Sequence, residues 1–346
     1  MFNIPFDSSD RKNYYKLLDK IFDSNFWSEG DAIKELEKRF GEYVGMKALG
    51  IANGGAALLA LLQYVDVRGK DVIVPTNTFM ATPLAVQWAG GNVVFCDCNK
   101  EDLCMSASDL ERRITRNTKA VMVVHIGGHI AFDIFKIRDI CAARNITLLE
   151  DCAHAHGATY RGQAAGSFGL GGGYSFYATK TMTTGEGGMV VTKDERFYEF
   201  VKKFRNYGKF DYKVRAFNFR MNEFTAALGV IQFERLPEIL KWKRDLAKKF
   251  DQIFPDRVKF PADMESGYYK YIAFAKKLNI ETGKVYGELC HELMGVEGYF
   301  PNAEFIKSNH VCPPIFHGWE YADLSVKELS EKLQTGEPLG SEHGKR

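Results

Sequence analysis

Residues 146–157 read ITLLEDCAHAHG. Ile146 to Leu149 form a short apolar run that closes on two acids, Glu150 and Asp151. A strand without polar alternation is covered on both faces, as strands of a parallel sheet are. Asp151 therefore stands at the carboxyl end of a buried strand, where open α/β sheets collect their ligands.

The same rhythm extends outward. Val72–Val74, stopped by Pro75, reads as a strand, as do Val93–Cys96 and Ala120–His125. Helical stretches fall at Ala81–Gly90 and 132–144, and Gly187–Thr192 is a further strand after a glycine-rich bend. Residues 31–43 carry Ile33, Leu36, Phe40 and Tyr43 at helical spacing, and Asn53-Gly54-Gly55 opens an Ala/Leu-rich helix. Short apolar strands alternating with helices of this length predict βαβ units: an α/β fold with a mostly parallel central sheet covered by helices. Polar residues then gather at strand ends, in 75–79, 125–129 and 151–156. The pattern changes near Pro237. Residues 222–236 are an amphipathic helix with Phe224, Leu228 and Ile231 on one face, followed by the basic, aromatic-rich KWKRDLAKKFDQIF. We expect an N-terminal segment and large domain over 1–237 and a smaller α+β domain over 238–346. The last dozen residues, polar and Gly-rich, are expected to be poorly ordered.

Composition sets the class. The 346 residues carry 46 Lys plus Arg against 44 Asp plus Glu, a formal charge of +2. That balance gives no reason for a nucleic-acid partner. No apolar run reaches the length of a membrane span, and the N-terminus lacks a signal-peptide pattern. Seven scattered cysteines, without a CxxC pair, read as unpaired thiols in a reducing cytoplasm. Cys96 and Cys98 form a CxC, but no second pair completes a zinc site, and no metal is expected.

Four segments carry chemistry. The first-turn amides at Asn53-Gly54-Gly55-Ala56 suit a phosphate, or are simply a flexible helix start. Asp151 needs a partner: a salt bridge, a helix cap or the protonated ring nitrogen of a cofactor. His154 and His156 read as core histidines, since no third metal ligand lies at a recognisable spacing. Lys180 stands among small, hydroxylated and glycine residues in YSFYATKTMTTGEGG (174–188). A desolvated lysine there has a lowered pKa and can form a Schiff base. Asn218, between Phe217 and Phe219, is by itself a cap or turn residue.

The combination is more specific than its parts. A phosphate-suited turn, an acid at a strand end and a lysine 29 residues later resemble a pyridoxal phosphate (PLP) enzyme of fold type I. The strings VIVPTNTFMAT, EDCAHAHGATYRGQAAGSFG, YSFYATKTMTTGEGGMVVT and FNFRMNEFTAALGVIQFERL resemble the DegT/DnrJ/StrS family of sugar aminotransferases, from about residue 25 to about 240. The resemblance implies that Lys180 holds PLP covalently and that Asp151 pairs with its ring nitrogen. His154 would approach the phenolic oxygen, Phe79 would stack on the ring and Ala153 would pack opposite. Ser175 and the amides of Gly55 and Ala56 would take the phosphate. Asn218 would reach the neighbouring subunit's phosphate, which implies a homodimer with shared sites. The implied reaction moves an amino group from L-glutamate through PLP and its amine form, PMP. The acceptor is a keto sugar, nucleotide-linked, destined for polysaccharide or glycoside synthesis.

Two departures stand out. Gly55 occupies a position where the family usually has Thr or Ser, and the closing pattern of the small domain is unclear after about Val296. Alternatives are a transaminase for a cyclitol or small phosphorylated ketone, a PMP-dependent sugar dehydratase, and a regulatory protein that holds PLP without turnover. Lys180 speaks against the dehydratase, whose branch carries histidine in its place.

Overall fold

A computed structural model describes residues 3–335. The expectation about the last dozen residues lies almost wholly outside them. Ten strands are described: β1 Lys47–Ile51, β2 Asp71–Pro75, β3 Asn92–Cys96, β4 Thr118–Val124, β5 Thr147–Asp151, β6 Thr159–Tyr160, β7 Gln163–Ala164, β8 Gly172–Ser175, β9 Gly188–Thr192 and β10 Met264–Glu265. Seven form one sheet in the order β1-β9-β8-β5-β4-β2-β3. From β3 through β8 the neighbours run parallel. β9 is antiparallel to β8, and β1 is antiparallel to β9. The fold is α/β with a mostly parallel central sheet, as the sequence rhythm predicts.

The crossover helices cover both faces. The helix Asp31–Val44 buries Ile33, Leu36 and Phe40 as its spacing predicts, while Tyr43 lies at the rim and Val44 is buried instead. The helix Gly54–Val65 is apolar on nearly every side because it lies between the sheet and other helices. Two strands of the seven-stranded sheet escape sequence pattern. β1 (KALGI) and β8 (GGYS) contain glycines that weaken a strand's signature, and the glycines of β8 are there for closeness. A Cβ on Gly173 would stand 3.0 Å from that of Ala57.

One helix runs from Glu223 to Ile253, straight through Pro237. The composition change at Pro237 thus falls inside a helix. Proline removes one backbone donor, and burial of Leu236, Ile239 and Leu240 around it offsets that loss. The buried face is centred on Ala226, Ala227, Val230 and Ile231, with Phe224 half-buried against Phe22 and Trp27. Past Pro237 the helix changes neighbours. Leu240 still belongs to the main core, whereas Leu246, Ala247 and Phe250 join a second core with Tyr271, Trp319, Leu329 and Leu333. The C-terminal part does not stay apart, since Leu289, Phe300 and Ile306 return to the main core. All seven cysteines are buried and unpaired.

Candidate active site

The site lies where the sequence rhythm places it, at the carboxyl ends of the parallel strands. Asp151 is the last residue of β5 and only 5% exposed. Its carboxylate accepts hydrogen bonds from Thr82 Oγ1 at 2.9 Å and from the backbone N–H of Ala153 at 3.1 Å. No cation lies within ion-pair distance of it among the described residues. Burial therefore raises its pKa, a shift that the two hydrogen bonds and the charge of Lys180 only partly oppose. A buried acid so placed calls for a positively charged partner.

Beneath it, β5 is fixed by a buried pair. His125 Nε2 meets Glu150 Oε2 at 3.0 Å, with both side chains fully buried. Glu150 also accepts from the N–H groups of Gly166, Phe168 and Gly169, and His125 Nδ1 accepts from Ala131 N–H. The backbone N–H of His125 donates to the carbonyl of Asp151 itself. This network spends every polar atom on holding the strand ends in register.

Lys180 lies in the loop after β8. Desolvation lowers its pKa from 10.5 to about 8, assisted by the charge of Lys270 and opposed by Asp151. Its Nζ sits 4.7 Å over the ring of Tyr269, which in turn stacks on His154 at 4.1 Å. Tyr269 is placed by a 3.1 Å hydrogen bond between its hydroxyl and Thr179 Oγ1. His154 Nδ1 is buried without a partner, and burial holds the ring neutral. His156 has neither ring nitrogen satisfied, packs against Tyr174 and Phe176, and has its pKa lowered to about 3.

The helix Gly54–Val65 points its N-terminus at Ser175 of β8. A Cβ on Gly54 would stand 2.8 Å from Ser175 Cβ, so only glycine allows this approach. The Asn53 side chain caps the helix by accepting from Ala56 N–H at 2.9 Å. That bond occupies one of the two amides expected to take a phosphate. The first-turn donors left over are those of Gly54 and Gly55. A desolvated amine of lowered pKa, a cation-free acid, an orphaned imidazole nitrogen and open helix amides around Ser175 fit what PLP would require.

Other expected residues sit differently. Phe79 is 76% exposed, and Asn218 is exposed, its Oδ1 accepting from Arg220 N–H. Among the described residues no hydrogen bond, ion pair or ring contact joins either to Lys180 or Asp151. Ala153 follows Asp151 directly and is half-buried. Thr82, Tyr269 and Lys270 were not legible in the sequence, because they reach the site from distant segments. Among the described residues two buried trios hold metal-ligating types: Asp102, Cys104 and His129, and His125, Glu150 and Cys152. Their imidazole and carboxylate groups are already hydrogen-bonded to protein.

The model of the DegT/DnrJ/EryC1/StrS aminotransferase family matches residues 8–326. GDP-perosamine synthase of Escherichia coli O157:H7 is 36% identical over 251 residues, covering 70% of this chain and 69% of that one. GDP-perosamine synthase of Caulobacter vibrioides is 31% identical over 93% of this chain and 86% of that one. The crystal structure of DesV from S. venezuelae superposes with a TM-score of 0.86, at 25% identity, over 96% of this chain and 97% of that one. On this match and these relatives, the chain belongs to the DegT/DnrJ/EryC1/StrS aminotransferase family.

Proposed function

We propose that this chain is a PLP-dependent aminotransferase that converts a nucleotide-linked keto sugar to an amino sugar. The observation that carries the reading is the pairing of a desolvated lysine, Lys180, with a buried acid that lacks a cation, Asp151. The perosamine synthases among its relatives support the acceptor class. PLP, when bound, supplies an electron sink that eases loss of a proton from the carbon bearing the amino group.

The chain's own residues supply the rest. Asp151, held by Thr82 and Ala153, would pair with the cofactor's ring nitrogen and favour its protonated form. His154 offers its unpartnered nitrogen to the phenolic oxygen, and Ser175 with the amides of Gly54 and Gly55 holds the phosphate. Lys180 would hold the cofactor through Nζ and, with an amino donor in place, would carry the proton of the donor's α-carbon on that nitrogen. With a pKa near 8, a useful fraction of its amine is free base at neutral pH. Phe79 and Ala153 would flank the cofactor's ring. The exposure of Phe79 and Asn218 supports a homodimer in which a second copy covers these residues and Asn218 completes the neighbour's phosphate site. L-glutamate is the proposed donor. Among the described residues no helix is long and apolar enough to cross a membrane. The seven unpaired thiols support a reducing, cytoplasmic setting.

The test is a screen of nucleotide-linked keto sugars with glutamate, following release of 2-oxoglutarate. Amino transfer to at least one such sugar is expected. Transfer only to free cyclitols or small phosphorylated ketones would overturn the acceptor class.

A further inference from the structure

Beside Thr179 and Tyr269 the cleft opens into a cavity of about 800 Å³. Three lysines line it: Lys243, Lys270 and Lys332. Lys243 and Lys332 are only 6% and 5% exposed. Among the described residues no carboxylate forms an ion pair with any of the three. Their partners are carbonyls and rings. Lys243 Nζ donates to the carbonyls of Tyr268 and Ile315, at 3.2 and 2.5 Å. Lys270 Nζ lies 5.5 Å from the Tyr269 ring centre, and Lys332 Nζ lies 4.8 Å from that of Tyr321. The acids nearest the opening, Glu281 and Glu320, are exposed.

Burying an ammonium group is costly unless a counter-charge comes with it. Lys243 has a structural duty, since it ties two carbonyls together. Lys270 and Lys332 meet only tyrosine rings among the described residues, and both line the one cavity. The cavity shares Thr179 and Lys243 with the small space lined by Lys180. The charge of Lys270 is also felt at Lys180. An anion seated here would share walls at Thr179 and Lys243 with the space that the reactive amine lines.

We propose that this cavity is an anion subsite in which Lys270 and Lys332 take a negatively charged group of a substrate. That group is a carboxylate of the amino donor or a phosphate of the nucleotide-linked acceptor. The assignment deepens the aminotransferase reading and rests on it for its purpose, while its test reads binding alone.

The experiment is titration calorimetry on the holoenzyme with 2-oxoglutarate and, separately, with inorganic pyrophosphate. Wild type is compared with Lys270→Gln, Lys332→Gln and the charge-retaining Lys332→Arg. At least one probe should bind wild type and weaken by about tenfold to a hundredfold in each Gln variant, the effect of losing a charge-assisted hydrogen bond. Lys332→Arg should restore most of it. Weakening confined to 2-oxoglutarate assigns the subsite to the donor, and weakening confined to pyrophosphate assigns it to the acceptor. Unchanged affinities in the Gln variants, or no binding of either probe to wild type, would overturn the proposal. Lys270 is partly exposed, so its variant carries the test should Lys332→Gln fail to fold. Failure of the aminotransferase reading would show differently, as absent amino transfer with probe binding intact.

Discussion

Lys180 and Asp151 stood out in the sequence because each sits in a contiguous string whose neighbours are informative. The residues that tune them did not. Thr82 reaches Asp151 from a helix 69 positions upstream, and Tyr269 arrives at Lys180 from the C-terminal part. Thr82 closes the string VIVPTNTFMAT and Tyr269 lies in none of the quoted strings, but nothing local marks either as a partner of Asp151 or Lys180. The Asp151–Thr82 bond has a measurable role. Thr82→Val leaves a buried acid short of one donor, pushing its pKa further up. Turnover should fall by about tenfold to a hundredfold, with kcat affected more than the melting temperature. Equal loss of stability and activity would make Thr82 merely structural. The lowered pKa of Lys180 makes a second prediction. Capture of PLP needs the neutral amine, and lowering the pKa makes that form available at lower pH. The capture rate should rise with pH and reach half its plateau near pH 8, the value given by burial. A midpoint near 10.5, the ordinary lysine value, would contradict the desolvated setting.

At the scale of elements, the parallel strands were legible because burial on both faces leaves uninterrupted apolar runs. β1 and β8 were not, since close packing replaced side chains with glycine there. The long helix through Pro237 misled in the other direction. Proline usually ends a helix, yet flanking residues buried on both sides of it favour continuation. The phosphate end shows a sharper contrast between two adjacent glycines. A Cβ on Gly54 would press on Ser175, whereas one on Gly55 meets only Asn53 Oδ1 at 3.4 Å. Gly54→Ala should cost ~1–3 kcal/mol of stability by overpacking and weaken PLP binding. Gly55→Ser should fold normally and tighten PLP binding by adding a hydroxyl beside the phosphate. Denaturant midpoints and PLP titrations on the two variants would read this, and equal damage at both positions would refute the proposed cradle.

For the whole molecule, the C-terminal part proved harder to foresee than the large domain. Its elements are short and irregular, and its apolar residues serve two cores at once, so no single period runs through them. The helix Glu223–Ile253 links those cores, with Phe250 fully buried in the second beside Tyr271 and Trp319. Phe250→Ala should cost ~3–5 kcal/mol, and its unfolding should move Tyr271 and Trp319 signals first. A single unchanged transition would argue against two partly independent cores. The candidate site brings these parts together, because Lys180 lies in the loop after β8 and Tyr269 in the C-terminal part. The most direct test of the account is borohydride reduction of the holoenzyme followed by peptide mapping. The account predicts one stable pyridoxyl label, on the peptide bearing Lys180, and none in Lys180→Ala, which should also lose all amino transfer. A label on another lysine, or full activity in that variant, would contradict it.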